Sequence, residues 1–338
     1  MRSKTQILLR RERMDTKLPT LIDLFAATKQ TEGKSPATIE WYRAKLTAFA
    51  EFLSNGQPAT IKDISLSASR AFIASLQEKD HLYADHPFRR PQEKKLSSYT
   101  LHGYVRALKA FSAWLYEEDF TEQDLLAKLK RPKTETPVIE ILSDGEINQI
   151  LQAINPRSIT GARQYLIFML LLDTGMRAGE LCGLKLEDAH LDQGFLKIKG
   201  KGNKERFVPI CGNTKKAILH YLNTWRPQPA SPHVNQLVLS ENGLPLTVGA
   251  LLQMIKRLGK KAGVPRLHPH LFRHTFAVKY LINGGDVMTL KNILGHTTLA
   301  VTQVYMHLAD VHVQIQHAKF SPADRLVINN GRRKRSKR

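Results

Sequence analysis

Cysteine is nearly missing from these 338 residues: only Cys182 and Cys211 occur, and they form no close Cys-x-x-Cys pair. That argues against a disulfide framework and makes a reducing compartment the natural reading. Acidic residues are scarce beside basic ones, 30 against 51, which leaves a net charge of +21 and a pI near 10.0. An excess of that size calls for an anionic partner, with nucleic acid ahead of acidic lipid, although ribosomal, chromatin and membrane-surface proteins share it. No apolar run reaches membrane-spanning length. The longest, Leu166 to Leu172, suits a buried helix. The N-terminus is charged and no apolar block follows it, so no secretory signal is visible. The expectation is a soluble, cytoplasmic protein. Neither a P-loop nor an HExxH zinc signature occurs.

What is present is enough for globular cores, at 42% hydrophobic residues, in a chain long enough for two domains. A basic segment, residues 1–17, carries Arg2, Lys4, Arg10, Arg11 and Arg13; a basic tail, residues 321–338, ends the chain on Arg332 to Arg338. Residues 18–130 read as all helical. Ser35-Pro36 is an N-cap with proline at the first helical position, and Ile39, Tyr42, Leu46, Phe49 and Leu53 then form one apolar stripe, stopped by Asn55-Gly56. Leu101, Tyr104, Leu108, Phe111 and Leu115 form another after Ser97 or Ser98, and weaker helices surround 21–25 and 68–76. Together these make a small bundle. A polar loop from Asp80 to Lys95 interrupts it, with Arg89, Arg90, Lys94 and Lys95 as candidate DNA contacts. Residues 131–140, with Pro132 and Pro137, read as a linker, and Ser143 with Glu146 announces a capping box at the start of the second domain, 141–320.

The second domain is mixed. Phe195, Leu196 and Ile198, then a basic turn from Gly200 to Lys204, then Phe207, Val208 and Ile210 describe a β-hairpin. Helices are expected over 163–173, 214–224, 247–262, 271–283 and 299–308. In Thr174-Gly175-Met176-Arg177-Ala178-Gly179-Glu180-Leu181 one helix ends at Gly175, and another starts with Arg177 in its first turn. A cation there opposes the helix dipole, and Glu180 is placed to compensate it. Taken alone this is a structural Arg–Glu pair, or else a guanidinium held toward an anion. His270, Arg273 and His274 share one helical face. Tyr305 belongs to an apolar stripe with Val301, Val304 and Leu308, and taken alone reads as a core tyrosine; Lys201 reads as part of a solvated turn.

The ordered set is more specific than its parts. TGMRAGEL, GKGNKERFVPI, HPHLFRH and LGHTTLAVTQVY resemble the motifs of the tyrosine recombinase (phage integrase, Xer-like) family, strongly over about 141–311 and in architecture only before that. The resemblance implies a mainly α protein with a small β-sheet. Its N-terminal part would be a SAM-like, core-binding helical bundle, and its C-terminal part a mixed α+β catalytic domain. It places the family's catalytic positions on Arg177, Lys201, His270, Arg273, His296 and Tyr305, with Tyr305 as nucleophile; Lys204, in the basic turn, joins the loop residues as a candidate DNA contact. Phe272, where leucine is common in the family, is a packing change.

These types suit the chemistry the resemblance implies. Arginines clamp the nonbridging oxygens of a phosphodiester and His296 adds a hydrogen bond. A phenol must lose its proton during attack, for which His270 is the expected acceptor, and Lys201 would protonate the departing 5′ oxygen. The product is a 3′-phosphotyrosyl enzyme, formed without metal or nucleotide. The family also implies double-stranded recombination sites, a dimer on each site, a tetramer in synapsis, and a C-terminal helix, 311–320, packed either on its own protomer or on a neighbour. The segment before the bundle is too short for a separate arm-binding domain, which favours a Xer-like resolvase or the integrase or transposase of a mobile element; the basic loop tilts toward the mobile element. Competing readings are a type IB topoisomerase, a DNA-binding regulator of degenerate recombinase descent, and a metal hydrolase built on His268, His270 and His274.

Overall fold

The computed structural model describes residues 15–78, 81–82, 92–93, 95–133, 139–200, 204–296, 298, 305, 317 and 321. The chain divides into two compact units, Met1–Pro137 and Val138–Arg338.

In the first unit the expected stripes become α1 (Leu18–Thr31), α2 (Pro36–Leu53), α3 (Leu66–Glu78) and α4 (Ser98–Glu117). The caps fall where short polar side chains precede the apolar runs: Ser35 Oγ accepts from the Thr38 amide and Ser97 Oγ from the Thr100 amide. Gly56, just beyond α2, has φ of 77°, a conformation glycine adopts at little cost. Phe25 is fully buried and meets Tyr42, Phe111 and Trp114 edge-on at centroid distances of 5.2, 5.5 and 5.4 Å. Such aromatic packing is worth more than its area alone. The segment 80–95 is not wholly loop. Among its described residues, β1 (His81–Leu82) pairs antiparallel with β2 (Gln92–Glu93), His81 opposite Glu93. Two residues a side is too short a ladder to leave alternation in the sequence.

The second unit opens with the expected capping box. The Ser143 amide donates to Glu146 Oε2 (2.9 Å) and the Glu146 amide to Ser143 Oγ (3.2 Å), starting α5 (Asp144–Ala153). The apolar α6 (Ile159–Thr174) runs through the core and stops at Gly175, which is left-handed (φ 59°). After α7 (Ala178–Gly183) comes an antiparallel sheet in the order β3-β4-β5: β3 (Ala189–His190), β4 (Phe195–Lys199) and β5 (Glu205–Pro209). The hairpin is the expected one, with Leu196 opposite Val208 and Ile198 opposite Arg206; the two-residue third strand is an addition. Phe207 points outward, 62% exposed, while Val208 is buried. α8 (Gly212–His220) continues as a π-helical turn, Tyr221–Trp225, where one helix was expected. α9 (Val248–Lys261), α10 (Pro269–Ile282) and α11 (Val287–Leu294) follow. Of the helix expected over 299–308 only Tyr305 is described, and of 311–320 only His317. The rest of both lies outside the described residues, as do 1–14 and 322–338 of the basic ends. No helix among the described residues is long and apolar enough to cross a membrane.

Gly161 near the start of α6 donates its amide to the capping Ser158 Oγ (3.1 Å). A Cβ there would stand 1.7 Å from the Asn155 carbonyl oxygen. Alanine's helix preference, worth about 1 kcal/mol over glycine, is outweighed by such a clash with backbone, for which overpacking costs run to about 3 kcal/mol. Gly161→Ala is therefore expected to lower the thermal unfolding midpoint; an unchanged or raised midpoint contradicts the steric account.

Candidate active site

The junction between α6 and α7 sets the first arginine. The left-handed turn at Gly175 lets α7 begin at once, and Arg177 is its N-cap, one position ahead of the first turn where the sequence places it. Its amide donates to Glu180 Oε2 (2.8 Å) and its Nη1 to Glu180 Oε1 (2.9 Å). Glu180 has a second, stronger partner. Arg206 on β5 is bidentate to it, Nη1 to Oε1 at 2.9 Å and Nη2 to Oε2 at 2.8 Å, and sends Nε to the Ile293 carbonyl (2.8 Å). Burial pushes the Glu180 carboxyl up, but hydrogen bonds from Arg206 and the Arg177 amide outweigh this and hold it below the usual carboxylate range. Fork-to-fork pairing of this kind fixes geometry as well as charge.

Arg273, on α10, is 4% exposed. Its Nη1 donates to the Gly175 carbonyl (2.8 Å), and its Nη2 to the Leu294 carbonyl (2.8 Å) and to His296 Nε2 (2.7 Å). One side chain thus ties the end of α6 to the end of α11. Burial, then the neighbouring charge of Arg177, lower its pKa to about 10, so it stays charged at neutral pH. A guanidinium has no acceptor, so the His296 ring is neutral with its proton on Nδ1. This agrees with a pKa lowered to about 4 by burial and by Arg273, Arg177 and Arg206. Three guanidiniums face one carboxylate, Glu180, within this cluster, which leaves a positive site for an anion.

Tyr305 is 4% exposed and belongs to a buried cluster with Ala277, Val278, Leu281, Leu290 and Leu294. It is a core tyrosine with a polar end: Oη lies 2.9 Å from Nδ1 of His274, and its ring lies nearly parallel to that of His296, at a tilt of 12° and 6.4 Å. Burial raises the phenol's pKa, while Arg273 and Arg177 pull it back down.

Arg177, Arg273, His296 and Tyr305 are thus brought together. His270 is exposed, one turn from His274 with ring centroids 6.4 Å apart, and within electrostatic reach of Arg273 and Arg177. The side chain on the Tyr305 hydroxyl is His274, where His270 was expected as proton acceptor. Lys201 lies outside the described residues, as do Arg89, Arg90 and Lys94; Lys95 and Lys204 are exposed. The Lys204 carbonyl accepts from the Gly200 amide (2.8 Å) across the base of the hairpin turn. Among the described residues no group of three or more His, Cys, Asp or Glu is arranged to hold a metal ion, and His268 turns its Nδ1 to the Arg266 carbonyl (2.7 Å).

Two elements of interest escape motif reading. Arg206 shares the inward face of β5 with Val208, as their burial pattern records. A charge on the buried side of an alternating strand needs a partner, and that was the available signal. In the N-terminal unit, Lys45 on α2 lies over the rings of Tyr104 (3.9 Å) and Trp41 (5.2 Å), and Arg106 on α4 lies over Trp41 (4.4 Å). Burial and the Arg106 charge hold the Lys45 pKa below its ordinary value. Tyr99 and His102 line the same concavity.

Residues 140–312 match the model of the phage integrase family. The chain is 30% identical over 308 residues to the tyrosine recombinase XerD of Staphylococcus saprophyticus, covering 90% of this chain and 99% of that protein. It is 28% identical to XerD of Staphylococcus aureus over the same shares. Among solved structures, the Tn1549 transposon integrase in complex with transposon right-end DNA has a TM-score of 0.67 at 20% identity, covering 89% of this chain and 99% of that one. XerH bound to a palindromic difH substrate has a TM-score of 0.66 at 22% identity, with coverages of 88% and 82%. These two likenesses establish the fold.

Proposed function

The chain belongs to the phage integrase family, the tyrosine recombinases, and from that premise we propose that it performs Xer-like site-specific recombination, cutting and rejoining DNA through Tyr305. The observation that carries the proposal is the convergence of Arg177, Arg273 and His296 on a tyrosine whose hydroxyl alone leaves the apolar core.

A phosphodiester repels nucleophiles, and its transition state gathers more negative charge on the nonbridging oxygens. Arg177 and Arg273 meet that charge, with their positions set beforehand by Glu180 and by main-chain carbonyls. Arg273 is tied by carbonyls, so its full charge remains for the phosphate. The Nδ1–H of His296 is a further donor. Attack by Tyr305 Oη forms a phosphorus–oxygen bond and breaks the bond to the 5′ oxygen, which takes a proton from Lys201. The 3′-phosphotyrosyl ester conserves the bond energy, so a second 5′-hydroxyl reverses the step and rejoins the strand. Exchange of strands calls for two duplexes and four protomers, with 311–320 as the candidate exchanged segment.

The Lys45–Trp41–Arg106 cluster fits the DNA backbone, two cations flanking a ring on which a sugar or base can rest. Replacing both cations by alanine is expected to lower affinity and to flatten the slope of log affinity against log salt by about 1.8, at about 0.9 per phosphate contact. An unchanged slope would remove the cluster from the interface.

The direct test is covalent capture from a random-sequence duplex library with the full chain, followed by sequencing of the trapped ends. A common sequence carrying protein on its 3′ phosphate is the expected outcome. Capture without common sequence would favour a type IB topoisomerase, and no capture would overturn the proposal.

A further inference from the structure

We infer that His274 is the proton acceptor for Tyr305, taking the phenolic proton on Nδ1 as Oη attacks phosphorus. The inference rests on the strand-cleavage reading above and assigns a catalytic residue within it.

The geometry is direct. Nδ1 of His274 is 2.9 Å from Tyr305 Oη, the reach required of a general base, and the two rings stand 5.6 Å apart. A phenol hydroxyl both donates and accepts, and we take the neutral imidazole in the tautomer with its proton on Nε2, in which Nδ1 accepts from the Tyr305 hydroxyl. The neutral form is the one favoured here. Burial depresses the His274 pKa first, and the remaining charge around it acts in the same direction: His270, His268 and Arg273, all on its own helix. Among the described residues, Tyr305 is the titratable group that contacts it from outside that helix. Of the competing acceptors, His296 has its Nε2 on Arg273, and His270 stands a further turn toward the helix start, its ring 6.4 Å from that of His274. His274 is itself half-buried and fixed on α10, directly after Arg273 in the chain, so the acceptor and one arm of the anion clamp are carried by one rigid element.

The step balances without any outside reagent. The proton leaves Tyr305 Oη for His274 Nδ1, the new P–O bond forms, the P–O5′ bond breaks, and the 5′ oxygen takes a proton from the lysine assigned above. Rejoining runs the same transfers backward and returns His274 to neutrality.

The test is single-turnover cleavage of a nicked duplex carrying the sequence recovered by covalent capture, from pH 5.5 to 9. The proteins compared are wild type, His274→Ala, His274→Asn and His270→Ala, with thermal unfolding run in parallel. General-base loss is worth about 10²–10⁴-fold, and that drop is expected for His274→Ala at neutral pH. The wild-type rate is expected to be flat above the depressed histidine pKa and to fall only on the acid side. The alanine variant should instead rise with unit slope toward the tyrosine pKa, because its phenol must ionise into solvent. His274→Asn keeps an acceptor and the ring position but takes no proton, so it should share that slope. A 5′-bridging phosphorothiolate substrate, whose leaving group needs no proton, should rescue neither variant. A wild-type adduct together with undiminished cleavage by His274→Ala overturns this inference alone, as does full recovery at every pH in His274→Asn. Absence of the wild-type adduct overturns the cleavage reading and the inference with it.

Discussion

Tyr305→Phe protein is expected to bind DNA as wild type does and to form no covalent adduct with it. The phenyl ring keeps its place in the buried cluster with Ala277, Val278, Leu281, Leu290 and Leu294, so the fold has no reason to change. What is lost is one oxygen, and with it the only group of the cluster able to make the phosphate ester. Removing a nucleophile from a preformed site leaves the clamp intact but costs on the order of 10⁴-fold or more. The adduct band should therefore vanish from a denaturing gel of a nicked substrate. The loss of the bond to His274 costs little stability, because that ring is only half-buried and reaches water. Adduct formed by the Phe variant would move the nucleophile to another hydroxyl.

Arg273→Gln is expected to be nearly as damaging, for two separable reasons. The substitution removes a charge aimed at the reacting phosphate, and the loss of one such donor typically costs about 10²–10³-fold in rate. It also shortens the side chain that binds the Gly175 and Leu294 carbonyls and His296. Buried carbonyls left unpaired cost about 1–3 kcal/mol each, so the thermal midpoint should fall as well. With its positive neighbour gone, the His296 pKa, now held down in part by Arg273, should move up. Single-turnover cleavage measured below the lowered midpoint separates the chemical loss from the structural one. A rate within tenfold of wild type would show that Arg273 is a structural tie and no more.

Much of this was legible in the chain, for identifiable reasons. Helices α2 and α4 announced themselves because Ser35 and Ser97 precede long 3.6-residue stripes, and the left-handed stop at Gly175 was marked by the glycine itself. Arg177 with Glu180 was visible as a local pair, being three residues apart. Arg206 was not, since its partner lies 26 positions away on α7. His274 stood beside an arginine and a second histidine of stronger motif weight, and only the placement of Tyr305, 31 residues on, picks it out. The strands β1, β2 and β3, two residues each, carry no periodicity to read. The cation–aromatic cluster was hidden for the same reason as Arg206: α2 and α4 meet only after folding.

Glu180 has a consequence for how this sequence can change. One carboxylate is divided between Arg177 and Arg206, so replacing it strands two charges, and no single second substitution repairs both. Interactions of this kind are strongly non-additive. The three positions are therefore coupled: a substitution at one changes what the other two contribute, and the hairpin that carries Arg206 is tied through it to the turn that carries Arg177.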